Sequence, residues 1–436
     1  MSKKNLPLLL LGLALLLSAC GGADRVLTAD EQPAASVQML RIEQEGQLVY
    51  EGELAAAEGE LRFTGSAGEY VAEVRSGRVR MLTAHCPDKL CLKQGWVEHF
   101  YEPIVCLPQQ VVISITEEKR GSLAAFSEQR FLLDTIISVT LYASGEKEAQ
   151  AAMEDAFAAF ELIERVATRY GDEQAAQISE VGRINAAAGQ AAVAVGAEIS
   201  AMLTRVQSYA EAGENTFRVG IGPLVDLWGI GTERAKAPAA AEIEAVLPLL
   251  APDKVVFTAD TSSVMLTEAG MSLDLGGVAK GYATDLAVKA LQAQGIRHAL
   301  INAGGNVYAL GRKPDGTPWR VGIRDPRRDG EIIGVVEAED EAVVSSGDYE
   351  RYFEADGVRY HHIFDPRTGY PARAARQSTV IAPRSLDADI LSTITFILGR
   401  EKSAALMEKY GCTDVFVDAE GEISVLGTGD GVSLSG

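Results

Sequence analysis

The chain has 436 residues, 47% of them hydrophobic, which is enough for full-sized cores and for two or three domains at about 150 residues each. It carries 61 Asp and Glu against 40 Lys and Arg, a net charge of −21. A surface that acidic repels polyphosphate and anionic headgroups, because affinity for them comes from clustered Lys and Arg, so nucleic acid is excluded as a partner.

Lys3 and Lys4 open the chain, and Leu8 to Leu17 follow as an almost unbroken aliphatic run that stops at Leu17-Ser18-Ala19-Cys20. A membrane-spanning helix needs about 20 apolar residues, so a run this short reads as the core of a secretory signal. Small residues followed by Cys match the bacterial lipobox. Residues 1–19 are therefore expected to be a lipoprotein signal peptide, Cys20 the lipidated residue, and 20–37 a tether. That places the chain at the bacterial cell membrane, lipid-anchored on the extracytoplasmic side. No later segment is long and apolar enough to span a bilayer.

Residues 38–117 alternate apolar and polar, as at Leu40 and Ile42 or Leu48 and Tyr50, with turns at Glu45-Gly46, Gly65 and Ser76-Gly77. That pattern predicts a small all-β domain. Three of the five cysteines, Cys86, Cys91 and Cys106, fall inside it. An exported chain permits one disulfide there. Cys86 and Cys91 with His85 and His99 otherwise form a loose metal pattern, wider than structural zinc sites prefer. With Ile104-Val105-Cys106-Leu107-Pro108 the segment resembles the NusG domain-II-like family of bacterial exported proteins.

Glu117 to Ser122 is a charged break, and the texture then changes. Met153, Phe157, Phe160, Ile163 and Val166 recur at three- and four-residue spacing and predict an amphipathic helix over 145–169. Further helices are expected at 197–212, 278–294, 388–398 and 402–409. Strands are expected at 131–142, 254–258, 263–267, 298–302, 319–323, 342–346, 358–364 and 377–382. Helices and strands mix without strict alternation, so residues 128–430 read as a larger α+β domain behind the small β one.

Four stretches of that domain carry chemistry. Ser272 to Tyr282 reads as a strand passing through Gly276-Gly277 into a helix, which suits phosphate oxygens, although a plain strand-to-helix turn looks the same. Asn302-Ala303-Gly304-Gly305-Asn306 ends another strand in a way that lets a ligand approach the backbone, or simply turns. Ser345-Ser346-Gly347-Asp348-Tyr349 precedes Tyr360-His361-His362, where strand alternation lets one His enter a site. Asp389 and Thr393 are four apart on a helix, a carboxylate and a hydroxyl that suit Mg²⁺, or an acidic helix start.

Together these stretches resemble the ApbE family of FAD:protein FMN transferases. The resemblance runs through Leu-Asp-Thr, Thr-Phe-Arg-Val-Gly-x-Gly-Pro-Leu with Trp228-Gly229, Asp-Leu-Gly-Gly-x-Ala-Lys-Gly, Asn-Ala-Gly-Gly-Asn, Ser-Ser-Gly-Asp-Tyr, His-x-x-Asp-Pro-x-Thr-Gly and Asp-x-x-Ser-Thr. It implies FAD as substrate, Mg²⁺ as cofactor, and transfer of FMN to a Thr or Ser hydroxyl with release of AMP. The acceptor would be an extracytoplasmic redox subunit. Flavin contacts would fall to Leu133, Tyr170, Thr216, Phe217, Arg218, Asp274, Lys280 and Ile363. Metal ligation would fall to the Gly277 carbonyl, Asp389 and Thr393, and the general base to His362, with Asp348 as another possible base. Leu133 stands where the family usually has Met, and Arg218 where it commonly has Asp. An FAD pyrophosphatase, or a lipoprotein that merely carries FAD, would share much of this pattern.

Overall fold

The computed structural model describes residues 36–435 apart from 46, 66–67, 86–88, 100–101, 107–109, 120–122, 170–178 and 259–261. Lipidation at Cys20, the flavin contact at Tyr170 and the Cys86 position lie outside the described residues. Among those that are described, no helix is long and apolar enough to cross a membrane.

The N-terminal region is all-β, as expected, from Ser36–Gln44 to Val111–Lys119, with only short helical turns. One antiparallel sheet holds four strands and another, Gly59–Gly65, Gly68–Arg75 and Arg78–Thr83, holds three. Their inward residues share one core, in which Leu40, Ile42, Tyr70, Ile113 and Ile115 are fully buried beside Cys91 and Cys106. Trp96 lies under the guanidinium groups of Arg78 and Arg80, 5.4 and 4.5 Å from its ring.

The larger unit is mixed α+β around an eight-stranded antiparallel sheet whose first strand is Ala124–Leu132. Across the sheet the order is Ile423–Gly427, Thr413–Asp418, Ala375–Ala382, Glu341–Gly347, Asn306–Leu310, Ala299–Ala303, Thr135–Ala143 and Ala124–Leu132. Three helices, Glu146–Ala167, Ala279–Ala293 and Ser385–Leu398, pack against one another and against this sheet. Phe157, Phe160, Ile301, Leu291 and Ile390 fill the space between. A three-stranded sheet, Trp319–Arg324, Ile332–Ala338 and Val432–Leu434, packs through Trp319, Ile323 and Val336 against Val343, Ile381 and Val415 of the large sheet. The central strands are thus covered on both faces, and Ala375–Ala382 and Thr413–Asp418 are buried almost throughout.

The expected strand over 131–142 is two strands. They meet in a tight turn at Leu133-Asp134, both residues in the left-handed region at φ +51° and +58°. Left-handed backbone is costly for Leu. The Glu164 carboxylate holds it by accepting the Leu133 N–H at 2.8 Å. The run over 358–364 also breaks, into Val358–His361 and Phe364–Asp365. Ser272 to Leu275 joins no strand ladder, contrary to expectation. Its backbone is held from outside: Asp274 N–H by the Val219 carbonyl, Leu273 N–H and C=O by the Asn185 carboxamide.

Register places several turns at one end of the large sheet. Ala303 pairs with Ile137, Asn306 with Val344, and Gly347 with Gln377. The turns Leu133-Asp134 and Gly304-Gly305 and the strand end Gly347-Asp348 therefore share that end. Gly304 and Gly305 sit at φ +61° and +91° in a two-residue hairpin loop, the geometry that favours glycine. A Cβ on Gly304 would stand 2.3 Å from Thr135 Oγ1, so the two turns are packed together.

Candidate active site

At that end of the sheet a glycine turn meets a helix crossing. Asp274 folds back so that Oδ1 accepts the Gly276 N–H at 2.8 Å, and Oδ2 pairs with Arg169 at 3.1 Å. Arg169 also reaches Asp226 at 2.8 Å and the Ser272 hydroxyl at 3.2 Å, so one guanidinium braces the segment. The turn runs into helix Ala279–Ala293, whose first turn carries Lys280 with Nζ 3.2 Å from the Gly276 carbonyl.

The partner helix, Ser385–Leu398, crosses at Gly281. A Cβ there would meet Ser385 O at 2.7 Å, Leu386 Cα at 2.8 Å and Asp389 Cβ at 2.9 Å. Glycine inside a helix costs roughly 0.5–1 kcal/mol relative to Ala; the close approach accounts for it. Gly281→Ala should cost about 1–3 kcal/mol through overpacking against backbone. Urea unfolding checks this, and an unchanged midpoint would show that the crossing has slack.

Asp389 is buried at this crossing, and its Oδ2 accepts the Gly281 N–H at 2.9 Å. Burial pushes its pKa up, against Lys280, that N–H and the Asn306 side chain, which all favour the anion. Asn306 Oδ1 accepts from the Ser385 hydroxyl, while Nδ2 is buried with no partner in good hydrogen-bond geometry. Thr393, one turn on, donates toward the Asp389 carbonyl at 3.4 Å and lies 3.3 Å from Ser346 Oγ. The same helix is fastened to the sheet by further buried hydroxyls, Ser346 to Ser392 at 2.9 Å and Ser378 to Thr395 and Asp414.

The adjacent histidines differ sharply. His361 is buried with Nε2 2.8 Å from the Ala372 carbonyl and Nδ1 accepting the Ile363 N–H at 3.3 Å. A carbonyl only accepts, so its proton sits on Nε2 and both nitrogens are used. His362 is half-buried, with Nδ1 3.3 Å from the Arg351 carbonyl. That fixes its proton on Nδ1 and leaves the Nε2 lone pair open. Burial, then Arg351 and His361, with Lys280 adding to them, push its pKa down to about 3. The near-neutral value expected of an unperturbed imidazole does not hold, chiefly because burial disfavours the charged ring, with Arg351 and Lys280 adding to it.

The remaining expected residues divide. Phe217 lies against the turn, since a Cβ on Gly277 would be 3.0 Å from its ring. Thr216 is buried, and both its hydroxyl, at 2.7 Å, and its N–H, at 2.9 Å, donate to the Gly213 carbonyl. Arg218 turns away, donating to the Asn215 and Leu250 carbonyls at 2.8 and 3.0 Å beside a cavity of about 210 Å³ lined by Leu203, Val206 and Phe257. Ile363 is buried with Phe396 and Phe416. Asp348 is clasped by Arg327 at 2.7 and 2.6 Å, with Arg359 at 3.7 Å, which removes it as a free base. Arg169 and Asp285 were not anticipated, since each acts across the fold and carries no local motif; Asn306 closes the Asn-Ala-Gly-Gly-Asn stretch, but its contact with Ser385 is not contained in that stretch.

Among the described residues no three His, Cys, Asp or Glu side chains gather as a metal site. The Gly277 carbonyl, Asp389 and Thr393 are a different set, one carboxylate with neutral oxygens. Their hard oxygens, and a buried anion whose charge is poorly compensated, fit Mg²⁺.

Fold and site together define an α+β protein in which a glycine turn, the helix-start Lys280, the buried Asp389 and the histidine pair lie in one region of the large unit. The model of the ApbE family matches residues 133–416, and the chain belongs to that family. A second model, NusG domain II, matches residues 8–119. FAD:protein FMN transferases from Treponema pallidum and Klebsiella pneumoniae are each 38% identical, over 311 and 301 residues; each match covers 68% of this chain, with 84% and 90% of those proteins. The ApbE crystal structure from Thermotoga maritima is 32% identical with a TM-score of 0.64, over 69% of this chain and 97% of that one. The apo flavinyl transferase ApbE of Pseudomonas stutzeri is 28% identical with a TM-score of 0.60, over 72% of this chain and 95% of that one.

Proposed function

We propose that the chain is an FAD:protein FMN transferase, dependent on Mg²⁺, that modifies a Thr or Ser hydroxyl of an extracytoplasmic redox subunit. The observation that carries this reading is the meeting of Lys280 and Asp389 at the Gly276-Gly277 turn: Lys280 Nζ lies 3.2 Å from the Gly276 carbonyl, and the Asp389 carboxylate accepts the next N–H, that of Gly281, at 2.9 Å. A storage site for FAD needs neither a base nor a metal carboxylate.

The turn, with Lys280 at the helix start, receives the diphosphate, and in a chain of net charge −21 that local cation matters. His362 Nε2 takes the acceptor hydroxyl proton while the new P–O bond forms on the FMN side. The diphosphate P–O bond breaks, and AMP leaves with the bridging oxygen and its electron pair. The Gly277 carbonyl, Asp389 and Thr393 would hold Mg²⁺, which would supply neutralisation of the charge developing on the phosphate. An anionic diphosphate beside Lys280 also offsets the positive field that depresses His362, raising its basicity when substrate is bound.

Product analysis tests the reading. FMN-protein with AMP supports transfer, free FMN with AMP indicates a pyrophosphatase, and unaltered FAD indicates a carrier.

The membrane setting rests on the lipobox. Cys20→Ser should leave uncleaved precursor or release the protein from the membrane fraction, read by fractionation and immunoblot. A variant processed and retained like wild type would refute the anchor.

A further inference from the structure

The two helices of the site cap each other. Asp389, on Ser385–Leu398, accepts the Gly281 N–H in the first turn of Ala279–Ala293. In return Asp285, on Ala279–Ala293, reaches the start of Ser385–Leu398. Its Oδ1 accepts the Ser385 N–H at 2.7 Å and Oδ2 the Leu386 N–H at 3.3 Å. The residue at the usual cap position, Arg384, makes no side-chain cap bond. Its guanidinium instead lies 3.7 Å from Asp285, adding a cation on the outer side. The first N–H groups of a helix have no partner of their own and must be satisfied from elsewhere. Here the satisfying carboxylate comes from the other helix of the site.

Each carboxylate thus ties its own helix to the other's first turn, with Gly281 allowing contact between them. Asp389 follows Ser385 by one turn, so the depth at which Asp285 holds Ser385 and Leu386 sets where Asp389 and Thr393 stand relative to the Gly277 carbonyl. We infer that Asp285 is the positioning residue for the metal-binding face, acting through the helix start and touching neither metal nor flavin. The inference rests on the proposed ligation by Gly277, Asp389 and Thr393.

The test titrates the full soluble chain with MgCl₂. It reads flavin fluorescence at fixed FAD and, separately, the shift in thermal midpoint without FAD. Asp285→Ala should move the Mg²⁺ midpoint upward roughly 10- to 100-fold, the usual effect of losing a group that orients a ligand. Asp285→Asn, which keeps an acceptor for the Ser385 N–H, should recover most of that. If the alanine variant does not fold, Asp285→Ser is read in its place with the same expectation. Glu148→Ala serves as the control for plain destabilisation. It removes a helix-start carboxylate that accepts the Ser144 N–H at 2.9 Å, at the opposite end of the sheet, and should leave the Mg²⁺ midpoint unchanged. An Asp285→Ala protein with lowered thermal stability but a wild-type Mg²⁺ midpoint would make Asp285 a structural cap only and overturn the inference, leaving the metal reading intact. A wild-type protein that responds to Mg²⁺ in neither readout would overturn the metal reading itself, and the inference with it.

Discussion

Asp389→Ala lowers flavin transfer by at least about 10²-fold while the fold survives, because the transition state loses the charge that anchors its compensation. Asp389 is the only carboxylate in the proposed ligand set, and its buried oxygens face Lys280, the Gly281 N–H and Asn306. Removing it leaves the Gly281 N–H unpaired, so some stability is lost as well, about 1–3 kcal/mol for one buried donor. Steady-state rates over a Mg²⁺ series, beside a circular dichroism melt, separate the two effects. Normal turnover in this variant, or undiminished wild-type activity in excess chelator, would sink the metal assignment.

His362→Ala comes second in size. The variant should still bind FAD, since a base contributes to the transition state more than to the ground state. Its transfer rate should fall by about 10²- to 10⁴-fold, the range of a lost general base. The pH dependence is specific. With its pKa held down to about 3 in the free protein, His362 is neutral throughout the physiological range. Its acid limb in kcat/KM, which reports the free enzyme, should therefore fall below pH 5 and not near 6.5. The sign for stability agrees. The folded pKa lies below the unfolded one, so the unfolded chain binds the extra proton. The contribution is complete above about pH 6.5 and is lost as pH falls toward 3. A variant with weakened FAD binding whose rate recovers fully at saturating FAD would make His362 a packing residue instead.

Much of the site was legible in the sequence because its motifs are local. A glycine pair before a helix places Gly277 and Lys280 without knowledge of the rest of the chain, and i, i+4 spacing places Asp389 with Thr393. The small β domain was legible too, since residues such as Leu40, Ile42, Ile113 and Ile115 alternate cleanly into one core. Thr413–Asp418 was not, because a strand covered on both faces shows no alternation. The Leu133-Asp134 turn escaped notice because Leu is not a usual turn former; Glu164, thirty-one positions away, stabilises it. The depressed pKa of His362 depends on its burial, with Arg351 and Lys280 adding to it, and the inward turn of Arg218 on the Asn215 and Leu250 carbonyls. No window of sequence contains those contacts. An acidic start from the helix's own first residues was only the alternative reading of Asp389, and the acid that holds the start of Ser385–Leu398 is Asp285, a hundred residues earlier.

The central claim is group transfer to protein, and intact mass spectrometry of the acceptor tests it most directly. The soluble chain is incubated with FAD, Mg²⁺ and a purified extracytoplasmic redox subunit. The account predicts that the subunit gains the mass of one FMN less water, with an equal amount of AMP released, and that the gain disappears when the Thr or Ser that carries it is replaced by Ala. FMN and AMP accumulating while the subunit mass stays unchanged would contradict it.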